Sequence, residues 1–225
     1  MVRVQLDVEG EIVTVDVDRV VNAGYSGRDR EDVQAHIDEL LKDDIIAEAP
    51  DTVPVTYQLA PYTLLADPGA VQVVGESTSG EAEYGLIVTG DETYVVAASD
   101  QTDRDLEKHG IRKSKQIAPN VVSADAWRLS DVRDHWDEIE LRAWTTVDGE
   151  RRPYQEDTLA ALLAPAEILD VVHSRYGAAD GGEVVLSGTV ATLEGDVRPG
   201  SRFEVELVDP VRDQSLSVAY DVEPL

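Results

Sequence analysis

The chain of 225 residues is 42% hydrophobic, enough to fill a substantial core, and sets 46 Asp plus Glu against 19 Lys plus Arg for a formal charge of −27. The acids run along the whole chain, and basic residues never cluster beyond pairs such as Arg112-Lys113 and Arg151-Arg152. That argues against nucleic acid and against an anionic membrane as partners. Cysteine is absent, which excludes disulfides and thiolate chemistry; there is no signal peptide or apolar stretch of spanning length, and the expectation is a soluble cytoplasmic protein.

Lysine is confined to Lys42, Lys108, Lys113 and Lys115. Self-repulsion on this scale destabilises a compact state at low salt, so the surface suits the cytoplasm of a halophilic archaeon; the plain alternative is an acidic protein of an ordinary cell.

In chain order, the opening VRVQLDVEGEIVTVDVD alternates apolar and polar residues on both sides of EG, which predicts a hairpin with one buried face, either an appendage or an edge ribbon. The domain reading is an N-terminal hairpin appendage over 1–20 and one main domain over 21–225. Val33, Ile37, Leu40 and Leu41 lie at helical spacing behind an Asp-rich start, predicting a helix from Asp29 to Leu41. Prolines between Pro50 and Pro68 break regular helix there. The runs AVQVVGE, YGLIVTG and TYVVAAS read as strands of a meander, the last two joined by a tight turn at GDE. After Asp100 a short helix and a basic loop are expected, then helical turns, a strand and turn bending at VDG, one or two helices over TLAALLAPAEILDVVHSRYG, and closing strands. Strands outnumber helices, which interrupt them irregularly. That predicts an α+β fold built on a β-rich roll or barrel.

Glu81 and Glu83 stand two apart at the head of an apolar run, so in a strand they share one face. A hairpin that turns at GDE returns the chain to their level, where Asp100 lies beside them. Three converging carboxylates suit a hard divalent ion, Mg²⁺, Mn²⁺ or Ca²⁺, with positions left for water or a chelating substrate. The plain alternative is that the two glutamates are exposed strand residues of an acidic surface.

EAEYGLIV followed by SDQTDRDLE resembles the signature of the fumarylacetoacetate hydrolase superfamily, in which a Glu-x-Glu strand and the Asp of an Asp-x-(Ser/Thr)-x-Arg-Asp stretch bind the catalytic metal. HIDE, SKQIAPNV, VDGERRPYQEDT and GGEVVLSGTVA resemble further motifs of that superfamily, in its order, over roughly residues 20–208. Glu107 stands where a Gln is expected and Val190 where a Pro is. The match is to a compact branch of undefined function.

The resemblance implies a β-rich mixed β-sandwich roll with a few interrupting helices. It makes Glu81, Glu83 and Asp100 ligands of Mg²⁺ or Mn²⁺, and His36, Glu39 and Lys115 catalytic. Arg104, Gly188, Thr189, Tyr25 and Gln155 become substrate-binding residues, with Arg104 and Lys115 supplying positive charge to a small anionic substrate. It further implies a homodimer acting as a hydrolase or lyase on a 2-oxo or acylpyruvate-like acid through a metal-stabilised enolate. The alternatives are a catalytically idle binding or scaffold protein, and an enzyme for a nitrogen-containing substrate. Plain readings stay beside these: His36 and Glu39, at i and i+3, as a solvated helix face, Arg104 paired with Asp103 or Asp105, Gly188 and Thr189 as a strand end. His109, His135 and His173 are read as surface or structural.

Overall fold

The computed structural model describes residues 1–42, 46, 48–90 and 92–225. The opening alternation forms a hairpin of β1 (Val2–Val8) and β2 (Glu11–Gly24), with Val4, Leu6, Val8, Val15 and Val17 on its buried face. β2 runs on through residue 20 without a break. Helix α1 (Arg30–Lys42) starts behind Asp29, whose Oδ1 accepts from the backbone N–H of Glu31 at 2.8 Å and of Asp32 at 3.2 Å, an N-cap that satisfies two otherwise free donors. It buries Val33 and Ile37.

The proline-rich stretch supplies short strands β3 (Val55–Leu59) and β4 (Leu64–Ala66), the strand expected at AVQVVGE is β5 (Ala70–Val73), and β6 (Thr78–Ser79) follows. β7 (Ala82–Thr89) and β8 (Glu92–Asp100) make the central hairpin, and β9 (Thr102–Asp103) pairs back onto β6. The short helix expected after Asp100 is α2 (Arg104–Glu107). The stretch expected as a basic loop is instead a second helix, α3 (Ile111–Ile117), which buries Ser114 and Lys115. Tertiary burial of that face overrides a polar composition that carries no helical period of its own.

β10 (Asn120–Val122), β11 (Trp127–Arg128) and α4 (Leu129–Val132) lead to a second hairpin, β12 (Glu140–Val147) and β13 (Glu150–Thr158). Its bend at Asp148-Gly149 has φ of 54° and 78°, the turn an Asp-Gly pair favours. Helix α5 (Pro165–Tyr176), then β14 (Gly182–Leu186), β15 (Arg202–Asp209) and β16 (Gln214–Pro224) complete the chain.

Nine strands form one sheet, ordered β1-β2-β14-β7-β8-β10-β4, with β3 paired to β2 and β11 to β8. It curls until β1 meets the β10–β11 connection, where Asp7 N donates to Ala124 O at 2.8 Å and Ala126 N donates to Asp7 O at 2.9 Å. The result is a nearly closed barrel filled by Leu6, Val17, Val20, Ile87, Val96, Val122 and Leu186. The outer faces of β7 and β8, through Tyr84, Leu86, Val95 and Ala97, share a second core with Leu141, Val205 and Val218 of the five-stranded sheet β13-β12-β15-β16-β5. The protein is thus β-rich, with α5 packing Ile168 and Val172 into the second core. Away from their turn β7 and β8 are covered on both sides, so a polar residue there is buried by position, whereas Thr89, Glu92 and Thr93 beside the turn are not.

Candidate metal centre

Along β7 the odd positions Gly85 and Ile87 face the barrel interior, and along β8 the even positions Tyr94, Val96 and Ala98 do. Continuing each alternation to the strand ends turns Glu81, Glu83 and Asp100 toward the same interior, at its mouth. The register makes the meeting exact in sequence terms: Glu83 pairs with Ala98, and beyond it Glu81 and Asp100 exchange backbone hydrogen bonds of 3.1 Å each. One oxygen from each of the three carboxylates lies within 4.8 Å of the others. Glu83 and Asp100 are buried and Glu81 is partly exposed.

Donors reach this cluster from three directions. Lys115, delivered by α3, donates to Glu81 Oε2 at 3.0 Å and to Asp100 Oδ2. Arg104, at the start of α2, donates through Nη1 to Glu81 Oε1 at 3.2 Å and to Glu107 Oε2 at 3.0 Å, and through Nε to Ser79 Oγ at 2.7 Å. The backbone N–H of Gly188 donates to Glu83 Oε2 at 2.7 Å. Gly188 has φ of 83°, and an added Cβ would collide with the Ser26 hydroxyl, so the close approach of this amide requires glycine. Beneath the acids, Asn22 Nδ2 donates to Asn120 Oδ1 at 2.6 Å and Asn120 Nδ2 to Thr63 Oγ1 at 2.9 Å.

After these bonds, Glu83 Oε1 and Asp100 Oδ1 remain buried with no hydrogen-bond partner. Burial acts to raise the Glu81 carboxyl, but the Lys115 and Arg104 charges outweigh it and hold the group at about 2. Burial raises the Glu83 carboxyl well above its ordinary value, and the Asp100 charge adds to this. Asp100 is also raised, chiefly by burial, with Lys115 opposing. Lys115 is held protonated: burial disfavours its charge, and Asp100, Glu81 and Glu83 more than compensate. A buried, all-oxygen donor set with two unsatisfied oxygens and raised carboxyls fits a hard divalent cation.

The other predicted residues divide into rim and frame. Tyr25 lies at the rim, with Tyr57 beside it; the Tyr25 hydroxyl is pushed up to about 12 by burial and by the neighbouring Tyr57 and Glu107. His36 sits against Tyr25, ring centroids 6.4 Å apart, and both it and Glu39 are exposed on α1. No hydrogen bond joins His36 to Glu39 or to the carboxylates among the described residues. Gln155 is a brace: it accepts from Ala82 N at 2.9 Å and donates to Thr189 Oγ1 at 2.6 Å and Val190 O at 2.5 Å. The Thr189 hydroxyl donates to Ala82 O at 2.7 Å, so it is occupied within the frame. Arg104 bonds neither Asp103 nor Asp105; Asp103 instead caps α2 through Leu106 N and Asp105 N. Asn22 and Asn120 escaped the sequence reading, although an Asn inside the apolar run RVVNAG carried the signal of a buried polar group.

Residues 23–220 match the model of a family described as a protein of unknown function, DUF2848. The chain belongs to this family. Among curated proteins none matches by sequence. Solved structures share the fold. A protein assigned as a fumarylacetoacetate isomerase/hydrolase from Oleispira antarctica is 18% identical with a TM-score of 0.69, over 96% of this chain and 98% of that one. One assigned as a fumarylpyruvate hydrolase from Burkholderia cenocepacia is 18% identical at 0.66, over 100% and 96%. A 2-keto-3-deoxyarabinonate dehydratase is 13% identical at 0.66, over 95% and 77%. At such identities the likeness is one of fold, which hosts several chemistries. No helix of the described residues is long and apolar enough to cross a membrane.

Proposed function

We propose that this DUF2848 protein is a divalent-metal-dependent hydrolase or lyase of a small 2-oxo or acylpyruvate-like acid, with Glu81, Glu83 and Asp100 holding Mg²⁺ or Mn²⁺. The observation that carries the reading is the pair of buried, unpartnered oxygens Glu83 Oε1 and Asp100 Oδ1. Each such group costs about 1–3 kcal/mol when left unsatisfied. A hard cation between them offsets that cost and the repulsion of the carboxylates together. The fold, common to proteins described as hydrolases and a dehydratase, supports an enzyme over an inert scaffold.

When bound, the ion supplies Lewis-acid charge to an oxygen-rich substrate. The chain's own residues do the remaining work. Lys115 draws Glu81 and Asp100 together with its ammonium, and the Gly188 amide fixes the rotamer of Glu83. Gln155 ties β7 to the 187–190 turn, so the amide and the carboxylate keep their register. At the rim, Tyr25 and Tyr57 stay protonated and offer hydroxyl donors. His36, beside Tyr25 and followed at i+3 by Glu39, is the imidazole placed to move a proton at the mouth. A homodimer goes with this reading by resemblance.

The test is calorimetric titration of Mg²⁺ and Mn²⁺ into chelator-treated protein, comparing wild type with Glu83→Ala and Asp100→Ala, with and without oxalate. One-site binding that both substitutions abolish and oxalate tightens supports the reading and justifies a turnover screen of 2-oxo acids. Equal behaviour of wild type and both variants sinks it.

A further inference from the structure

Within the metal-dependent reading, on which this inference rests, the arrangement of charges limits the substrate further. Four acids gather at the mouth, Glu81, Glu83, Asp100 and Glu107, against two cations, Arg104 and Lys115. Both cations are already committed. Lys115 is bound to Glu81 and Asp100, and Arg104 to Glu81 and Glu107. With a divalent ion in place the set is neutral, so the substrate's chelating carboxylate already makes it negative.

In three of the four ion pairs at the mouth the acid is the more exposed member. Glu107 shows 30% of its side chain and Glu81 19%, over Arg104 at 13% and Lys115 at 7%. An entering molecule therefore meets carboxylates first, with the cations underneath. The other cations of α3, Arg112 and Lys113, are both exposed, and Arg112 donates to the Gln58 carbonyl. Other polar groups near the mouth are the neutral Tyr25 and Tyr57 hydroxyls, and Arg104 Nη2, a buried donor without a partner on a guanidinium already paired with two acids. Such a rim offers hydrogen bonds to an uncharged oxygen and repels a carboxylate.

We propose that the site takes a 2-oxo acid whose only carboxylate is the chelating one, with an uncharged hydrogen-bonding far end, and that Glu107 is the residue that rejects a second carboxylate. Glu107 is the most exposed of the four acids, so its charge is the one an entering far end meets first.

The test measures binding to the full-length, Mn²⁺-loaded protein by displacement of ion-bound water in proton relaxation. It uses three probes: oxalate, 2-oxoglutarate, and 2-oxoglutarate 5-methyl ester, which differs from its parent by the far charge. The ester is expected to bind roughly tenfold more tightly than the diacid at low salt, as a like-charge contact in a partly screened site predicts. Glu107→Gln is expected to shrink that ratio toward one by improving the diacid, relative to oxalate in the same variant. Equal or better binding of the diacid by wild type overturns the proposal, as does a ratio unmoved by Glu107→Gln, or failure of both long probes while oxalate binds. If oxalate itself fails to bind the Mn²⁺-treated protein, the metal reading falls and this inference with it.

Discussion

Two buried glutamates on neighbouring strands of one sheet have opposite fates. Glu183, near the start of β14, accepts from Arg19 Nε at 2.5 Å through Oε1 and meets His173 Nε2 at 2.8 Å through Oε2. Arg19 also ties down the end of α5 by donating to the Tyr176 and Gly177 carbonyls at 3.2 and 2.7 Å. Glu83, at the opposite end of the same sheet, has one oxygen on the Gly188 amide and the other on nothing. Burial of a carboxylate therefore does not mark a site. An unsatisfied oxygen facing a second one does, because only a ligand outside the chain completes it.

The comparison can be broken by substitution. Glu183→Gln should cost about 3 kcal/mol or more, since removing one partner of a buried pair strands Arg19, while Mn²⁺ affinity stays at the wild-type value. Urea unfolding and calorimetry on the same sample read both quantities; lost metal binding without lost stability would reverse the assignment. Asp100→Asn should weaken Mn²⁺ by roughly a hundredfold. Glu83→Gln should do likewise yet raise the stability of the metal-free protein by about 1 kcal/mol, by removing an uncompensated buried charge. A Glu83→Gln protein that is less stable than wild type without metal would show that the oxygen is satisfied after all.

Gly188→Ala sharpens the same contrast by acting on the amide alone. Its positive φ and the collision with Ser26 predict a loss of about 2 kcal/mol, together with weaker Mn²⁺ binding as the Glu83 rotamer loosens. Unchanged metal affinity would remove Gly188 from the positioning set. The smallest effect belongs to a solvent-facing pair, Arg28 and Asp137, joined by two bonds of 2.8 Å. The hydrogen bond from Arg28 holds the Asp137 carboxyl below its ordinary value. Its contribution is thus present above the unfolded carboxylate range and lost as pH falls through the folded value. Asp137→Asn should lower stability by less than about 1 kcal/mol at pH 7, a difference that vanishes in acid. Urea midpoints at one fixed salt concentration would show it.

Period and turn chemistry were legible before any coordinates. The alternation of residues 2–18, the Asp29-capped helix with Val33 and Ile37 inward, and the hairpin that brings Asp100 level with Glu81 all follow from local rules. That the three carboxylates could meet was legible from strand alternation and one turn, but reading them as ligands rather than exposed strand residues came from the family resemblance. Contacts made by long-range packing were not. Lys115 was expected to serve substrate and lies on carboxylates, because α3 forms against the barrel mouth rather than remaining a loop. Gln155 and Thr189, expected as substrate-binding residues, bond each other across 34 residues of chain, a contact no local pattern recorded.

The sequence by itself determined the strand faces, the capped helix, the carboxylate triad and the acid excess, since each depends on neighbours within a few residues or on composition alone. Only the tertiary structure decided which buried carboxylates are satisfied. Their donors arrive from α2, α3 and the turn after β14, brought together by the curl of the sheet, and no local pattern records where a distant N–H will point.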